Sequence, residues 1–64
     1  MTIYKIPSKT VITIFENKRY ITFKLMENLI LDEINLQSIE ESFMIFYNQN
    51  ILYYVPCDCV TKIY

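Results

Sequence analysis

A chain of 64 residues makes one domain at most, spanning 1–64, and at this size folding hides only about 60% of the unfolded surface. Yet 53% of its residues are hydrophobic and 16% aromatic, more than so small an interior can cover, and a contiguous apolar surplus marks a contact with another molecule. A net charge of −1 provides no field to gather nucleic acid or anionic lipid. The absence of histidine and glycine excludes Ser-His, Cys-His and His-metal constellations within one chain, and glycine-rich phosphate loops with them.

The N-terminal MTIYKIPSKT has lysines but no apolar h-region, so it does not read as a signal peptide. Thr2-Ile3-Tyr4-Lys5-Ile6 is rich in β-branched and aromatic residues and predicts a short strand, which Pro7 ends or confines to a sheet edge. Ser8-Lys9 then reads as a connection.

Thr10 to Leu25 carries the clearest pattern. With Asn17-Lys18 at the tip of a hairpin, Glu16 pairs with Arg19, Phe15 with Tyr20, Ile14 with Ile21, Thr13 with Thr22 and Ile12 with Phe23. Ile12, Ile14, Ile21, Phe23 and Leu25 then share an apolar face, and Val11, Thr13, Phe15, Tyr20, Thr22 and Lys24 a mixed one. A one-residue slip would mix the two, so the pattern specifies its own register. A type I′ turn needs positive φ at both central residues, and in a chain without glycine Asn17 is the best occupant.

Between Met26 and Ser42 two readings compete. Ile34-Asn35-Leu36-Gln37 alternates as a strand would, which predicts a strand around Ile34–Glu40. Leu36, Ile39 and Phe43 also sit at helical spacing behind a capping-box pattern, Ser38-Ile39-Glu40-Glu41, which would give a short helix over 36–42. Asp32, Glu33, Glu40 and Glu41 solvate a face of whichever element forms.

Phe43–Tyr47 and Ile51–Val55 predict a second hairpin, over Asn48-Gln49-Asn50. A three-residue loop places Phe43, Ile45, Tyr47, Ile51, Tyr53 and Val55 on one face and Met44, Phe46, Leu52 and Tyr54 on the other; a two-residue loop reshuffles these sets but leaves both apolar. This hairpin is therefore buried on both sides, or one side meets another molecule. Its sequence also echoes the first hairpin, ITIFENKRYITFKL against FMIFYNQNILYYVP, each with an Ile-Phe pair before the turn. Pro56-Cys57-Asp58-Cys59-Val60 suits a single 3₁₀ turn, and Thr61–Tyr64 a last short strand.

The expected fold is thus mainly β: a small antiparallel barrel or sheet of five to six strands built from hairpins at 10–25 and 43–55, with a short helix at 36–42 as the open alternative. Tyr54-Val55-Pro56-Cys57-Asp58-Cys59-Val60 resembles the aromatic-aliphatic-Pro-x-Asn-Tyr-Val turn that closes Src-homology-three-like small barrels, a turn also met in Sm-like barrels. The match lies at Tyr54, Val55, Pro56 and Val60. Asp58 stands where that family has Asn and Cys59 where it has the ligand-stacking Tyr, so the resemblance implies barrel architecture and not polyproline binding.

Cys57 and Cys59 read as small half-buried thiols in a turn. Two thiols leave a structural zinc site half-filled unless a symmetric dimer supplies the rest, and a disulfide two residues apart closes a strained ring. No cofactor or metal is expected. The longest apolar runs are four or five residues, too short for a transmembrane helix, so the expected compartment is a cytoplasm with reduced thiols. Glycine, alanine, histidine and tryptophan are absent while Ile, Asn, Lys and Tyr abound, a bias that AT-rich coding produces and that suits a phage, a virus or a low-GC bacterium.

The expected function is non-catalytic protein binding, as a homodimer or as a phage- or virus-encoded inhibitor of a larger host protein. The expected interface is Phe43, Ile45, Tyr47, Ile51, Tyr53 and Tyr54. A different class of reading uses Arg19, Tyr20 and Lys24, with Phe15 and Lys18 beside them, as an aromatic and basic platform for single-stranded nucleic acid.

Overall fold

Short β-branched and aromatic runs, each ended by a turn, become eight strands in the computed structural model, which describes every residue from Met1 to Tyr64. They are β1 (Ile3–Ile6), β2 (Val11–Glu16), β3 (Arg19–Lys24), β4 (Leu29–Asp32), β5 (Leu36–Ile39), β6 (Phe43–Asn48), β7 (Ile51–Pro56) and β8 (Thr61–Lys62). All pairings are antiparallel, in a three-stranded sheet of order β4-β1-β8 and a five-stranded sheet of order β3-β2-β7-β6-β5. The architecture is mainly β and sheet-like, and the two sheets do not close into a barrel.

The first hairpin adopts the register its pattern specifies, from Val11 opposite Lys24 through to Glu16 opposite Arg19. Asn17 and Lys18 have φ of 51° and 64°, the left-handed values a type I′ turn requires. Thr13 and Thr22 face one another with their hydroxyls 2.9 Å apart.

In the second hairpin the expected three-residue loop is overturned. Asn48 pairs with Ile51, and the turn is the two residues Gln49 and Asn50, with φ of 51° and 66°. A two-residue I′ turn matches the right-handed twist of its strands, and this outweighs the cost of putting glutamine in the left-handed region. The shift moves every residue of β7 to the other side relative to β6. Met44, Phe46, Ile51, Tyr53 and Val55 share the inner face; Phe43, Ile45, Tyr47, Leu52 and Tyr54 share the outer one. The sequence echo between the hairpins is offset for the same reason: Phe15 lies two residues before its turn and faces out, whereas Phe46 lies three before its own and is fully buried.

The 36–42 segment is not helical. Leu36–Ile39 forms β5, an edge strand paired with β6 through a bulge between Leu36 and Ser38. The capping box lies earlier, around a 3₁₀ turn at Glu33–Asn35 that also trims the expected strand start at Ile34. There the Asp32 carboxylate accepts from Ile34 N–H at 3.2 Å, and Asn35 Oδ1 accepts from Asp32 N–H at 3.1 Å. Asn35 also donates through Nδ2 to the Tyr47 carbonyl at 3.2 Å, tying this corner to the end of β6. Ser38 and Glu41 form no capping box, because Leu36–Ile39 is extended and paired with β6, and the following turn is closed instead by Glu40 N–H donating to the Phe43 carbonyl at 2.8 Å.

The chain changes sheet at four corners, each with its own local device. Pro7–Thr10 is a turn in which Thr10 N–H returns to the Pro7 carbonyl and Lys9 takes φ of 72°. Leu25–Asn28 follows β3, and Asn28 Oδ1 accepts from Ser8 N–H at 2.9 Å. The remaining two are the 3₁₀ turns at Glu33–Asn35 and, as expected after Val55, at Cys57–Cys59.

Folding the three-stranded sheet onto the inner face of the five-stranded one makes the core. Tyr4 and Ile6 from β1 and Leu31 from β4 meet Ile12, Ile14, Met44, Phe46 and Val55, with Leu25 at the corner. Ile6, Phe46 and Val55 are wholly excluded from solvent, and the Tyr4 and Phe46 rings meet edge to face at 5.5 Å. Phe23, expected in the core, points inward from the edge strand β3 but lies beyond the reach of the smaller sheet and stays 39% exposed.

Candidate functional site: the outer face of the five-stranded sheet

A sheet buries one face against its partner layer and leaves the other to water unless something covers it. Here the small sheet covers the inner face only. The register puts Val11, Thr13 and Phe15 of β2, Tyr20, Thr22 and Lys24 of β3, Leu52 and Tyr54 of β7, and Phe43, Ile45 and Tyr47 of β6 on the outer face. Lys24 is the only charged residue among them. A solvated face normally alternates polar with apolar, so this one is built unlike a wet surface.

Its centre is the middle strand β7. Tyr54 lies between Thr13 of β2 and Ile45 of β6. Phe15 and Tyr20 stack at 4.7 Å, and Tyr20 reaches toward Tyr54 at 6.0 Å, so the aromatic cluster runs across the strands from the β3 edge to the centre. Tyr47 begins the other flank, its hydroxyl donating to Asn50 Oδ1 at 3.0 Å. Phe15, Ile45, Leu52 and Tyr54 are half-buried by their neighbours, while Tyr20 is 65% exposed and Phe43 42%. Burial raises the Tyr54 phenol above its usual pKa of 10.0, helped by the nearby Tyr20 hydroxyl. The Tyr54 phenol is therefore a neutral donor at physiological pH. The surface has no pocket, so it suits a flat apposition better than an enclosed small molecule.

The residues expected to form the interface separate into two groups. Phe43, Ile45, Tyr47 and Tyr54 are together on the outer face. Ile51 and Tyr53 lie on the inner face with Phe46 and Val55, packed against the core. Burial and, secondarily, the Glu16 carboxylate raise the Tyr53 phenol. Val11, Phe15 and Tyr20, from the mixed face of the first hairpin, and Leu52, which shares a face with Tyr54 on the second, complete the outer patch; the β2–β7 pairing joins the two hairpins.

The basic platform separates too. Tyr20 and Lys24 share the outer face, four residues apart along β3, but Arg19 pairs with Glu16 and projects to the opposite side near the hairpin tip. Cys57 and Cys59 are free, half-buried thiols; the Cys57 thiol donates to the Glu40 carbonyl at 3.7 Å. No group of three or more His, Cys, Asp or Glu side chains is placed to hold a metal ion. No helix is long and apolar enough to cross a membrane.

Charge is distributed unevenly. Up to Lys24 the chain has Lys5, Lys9, Lys18, Arg19 and Lys24 against Glu16 alone. From Leu25 to Thr61 it has Glu27, Asp32, Glu33, Glu40, Glu41 and Asp58 and no basic residue. β3 and β5 are the two edges of the large sheet: Lys18, Arg19 and Lys24 gather at the β3 edge with Glu16 and Glu27 beside them, while β5 itself is uncharged and the turns at its two ends carry Asp32, Glu33, Glu40 and Glu41. No family model, curated protein or solved structure matches the chain.

Proposed function

We propose that this protein is a non-catalytic protein-binding module whose interaction surface is the outer face of the five-stranded sheet. The observation that carries the reading is that face itself: four adjacent strands, β3, β2, β7 and β6, with no layer over them, bearing aromatic and aliphatic side chains with a single charge. Burying Phe, Tyr, Ile and Leu side chains contributes about 25 cal/mol per Å² of apolar area removed from water. Tyrosines add large contact area with few rotatable bonds, as in binding hot spots. The reading extends to self-association, and to a role as a cytoplasmic, phage- or virus-encoded inhibitor that caps a larger host protein. That extension is supported by the small size and the Ile-, Asn-, Lys- and Tyr-rich composition without glycine or alanine.

Affinity capture on the wild-type protein and on Ile45→Glu tests it. A partner retained by the first and lost by the second, with both folded by circular dichroism, supports the reading. Equal capture by both moves the binding surface elsewhere.

A second reading, single-stranded nucleic-acid binding, is supported by the stacked Phe15–Tyr20 pair beside Lys24. Anisotropy of a labelled single strand would favour it if binding weakens steeply with salt and is lost in Lys24→Ala.

A further inference from the structure

The uncovered face and the segregated charge combine in a way that neither does alone. Resting on the reading that the outer face binds protein, we propose that its occupant is a second copy of this chain, related by a two-fold axis parallel to the strands, so that the β3 edge of each copy, with its lysines, lies over the β5 edge of the other, whose flanking turns are acidic.

The area is that of a weak, transient dimer. Four strands of six residues and one of four, about 4.8 Å apart and about 3.4 Å per residue, give a footprint of roughly 460 Å² per copy. Two copies bury about 900 Å², within the range of weak, transient interfaces. Micromolar rather than nanomolar self-association is expected of it. The two copies form a sheet-on-sheet sandwich with β7 near the axis, and Tyr54 and Ile45 meet their counterparts across it.

Charge selects the orientation. Along the strands, the end with both hairpin tips carries Lys18 and Arg19 on the β3 side and Asp32 and Glu33 on the β5 side. The opposite end carries Lys24 and Lys9 against a single Glu27 on the β3 side, where Lys9 N–H bonds the Leu25 carbonyl, and Glu40 and Glu41 with no base on the β5 side. A two-fold axis parallel to the strands exchanges left and right and keeps the ends. Lys24 and Lys9 then meet the partner's acidic loop after β5, and Lys18 at the hairpin tip lies over the end of the partner's sheet that carries Asp32. A two-fold axis perpendicular to the strands keeps left and right, and sets base over base and acid over acid. Like charges in apposition select against that arrangement.

Sedimentation equilibrium of the full chain tests this with two charge-reversed variants, K9E/K24E and E40K/E41K, and with Ile45→Glu as the face control. Because a two-fold interface repeats every contact, each charge variant alone should weaken self-association about tenfold or more. An equimolar mixture of the two should recover wild-type affinity as a heterodimer, since every edge then meets its opposite. Wild-type association should also weaken as salt rises. Loss of association in Ile45→Glu with no effect of either charge variant, or strengthening of the wild-type dimer by salt, overturns the orientation and leaves the binding face standing. Association unchanged in Ile45→Glu overturns both. Growth beyond the dimer with concentration overturns the closed arrangement in favour of edge-to-edge addition of strands. If a charge variant fails to fold, the sign of the wild-type salt dependence decides.

Discussion

Ile45 and Phe46 are neighbours on one strand, so their side chains take opposite faces and opposite duties. Phe46 is wholly buried beneath the small sheet, and its ring meets Tyr4 edge to face. Phe46→Ala removes that ring from a packed core, which costs about 3–5 kcal/mol including the cavity left behind. A domain of this size is stable by about 3–10 kcal/mol, so the variant loses a third or more of its stability and in the lower range is largely unfolded. At about 4–8 °C per kcal/mol the melting temperature falls by at least about 12 °C. Ile45→Ala, half-buried on the outer face, removes no core contact and should cost about 1 kcal/mol or less at concentrations where the chain is monomeric. The assay is thermal unfolding followed by circular dichroism at low micromolar concentration, with urea unfolding as a second probe. If Ile45→Ala proves the more damaging, the small sheet covers the other face of β6 and the assignment of inner and outer faces is overturned.

Other consequences follow from particular residues. Gln49→Gly relieves a glutamine held at φ 51° and should stabilise the fold by about 0.5–1 kcal/mol, read as an upward shift in melting temperature; a downward shift contradicts a type I′ turn there. Asn35→Ala leaves Asp32 N–H and the Tyr47 carbonyl without their partner and should cost about 1–2 kcal/mol, measured by urea unfolding. The phenols of Tyr53 and Tyr54 are both raised by burial, so the folded state holds their protons more tightly than the unfolded chain does. Stability from this source is complete below about pH 10, the unfolded value, and is lost as pH climbs through the higher folded values. Unfolding followed from pH 8 to 11.5 should show a decline beginning near pH 10, and Tyr53→Phe should reduce its size.

How much of this was legible depended on whether a strand has two distinguishable faces. In the first hairpin Ile12, Ile14 and Ile21 alternate with Thr13 and Thr22, so any slip exposes isoleucine, and the register read from the pattern is the one observed. In the second hairpin both faces are apolar. A slip between Tyr47 and Leu52 leaves the pattern equally good, and only the twist preference of a two-residue turn, expressed at a glutamine, decides. That is why Ile51 and Tyr53 were grouped with Tyr47 and Tyr54 and then parted from them. The 36–42 segment failed differently: Ser38-Ile39-Glu40-Glu41 has the letters of a capping box, but the hydrogen bonds of that motif are made by Asp32 and Asn35. The joining of the two hairpins, β2 to β7, is a pairing of residues about forty apart in sequence, and no local pattern announces it. It is this pairing that turns two separate half-faces into one surface.

Part of the surplus of apolar residues over core volume, visible in the composition, lies on that surface, with Val11, Tyr20, Phe43 and Tyr47 exposed there; the proposal stands or falls on that face being an interface. Static light scattering across about 1–200 μM, on the wild-type protein and on Tyr54→Lys, tests it most directly, because Tyr54 sits at the centre of the outer face and away from the core. The account predicts a monomer-to-dimer transition in this range for the wild type, and a folded monomer throughout for Tyr54→Lys. A wild-type protein that stays monomeric to the highest concentration, or a Tyr54→Lys variant that dimerises as the wild type does, contradicts it.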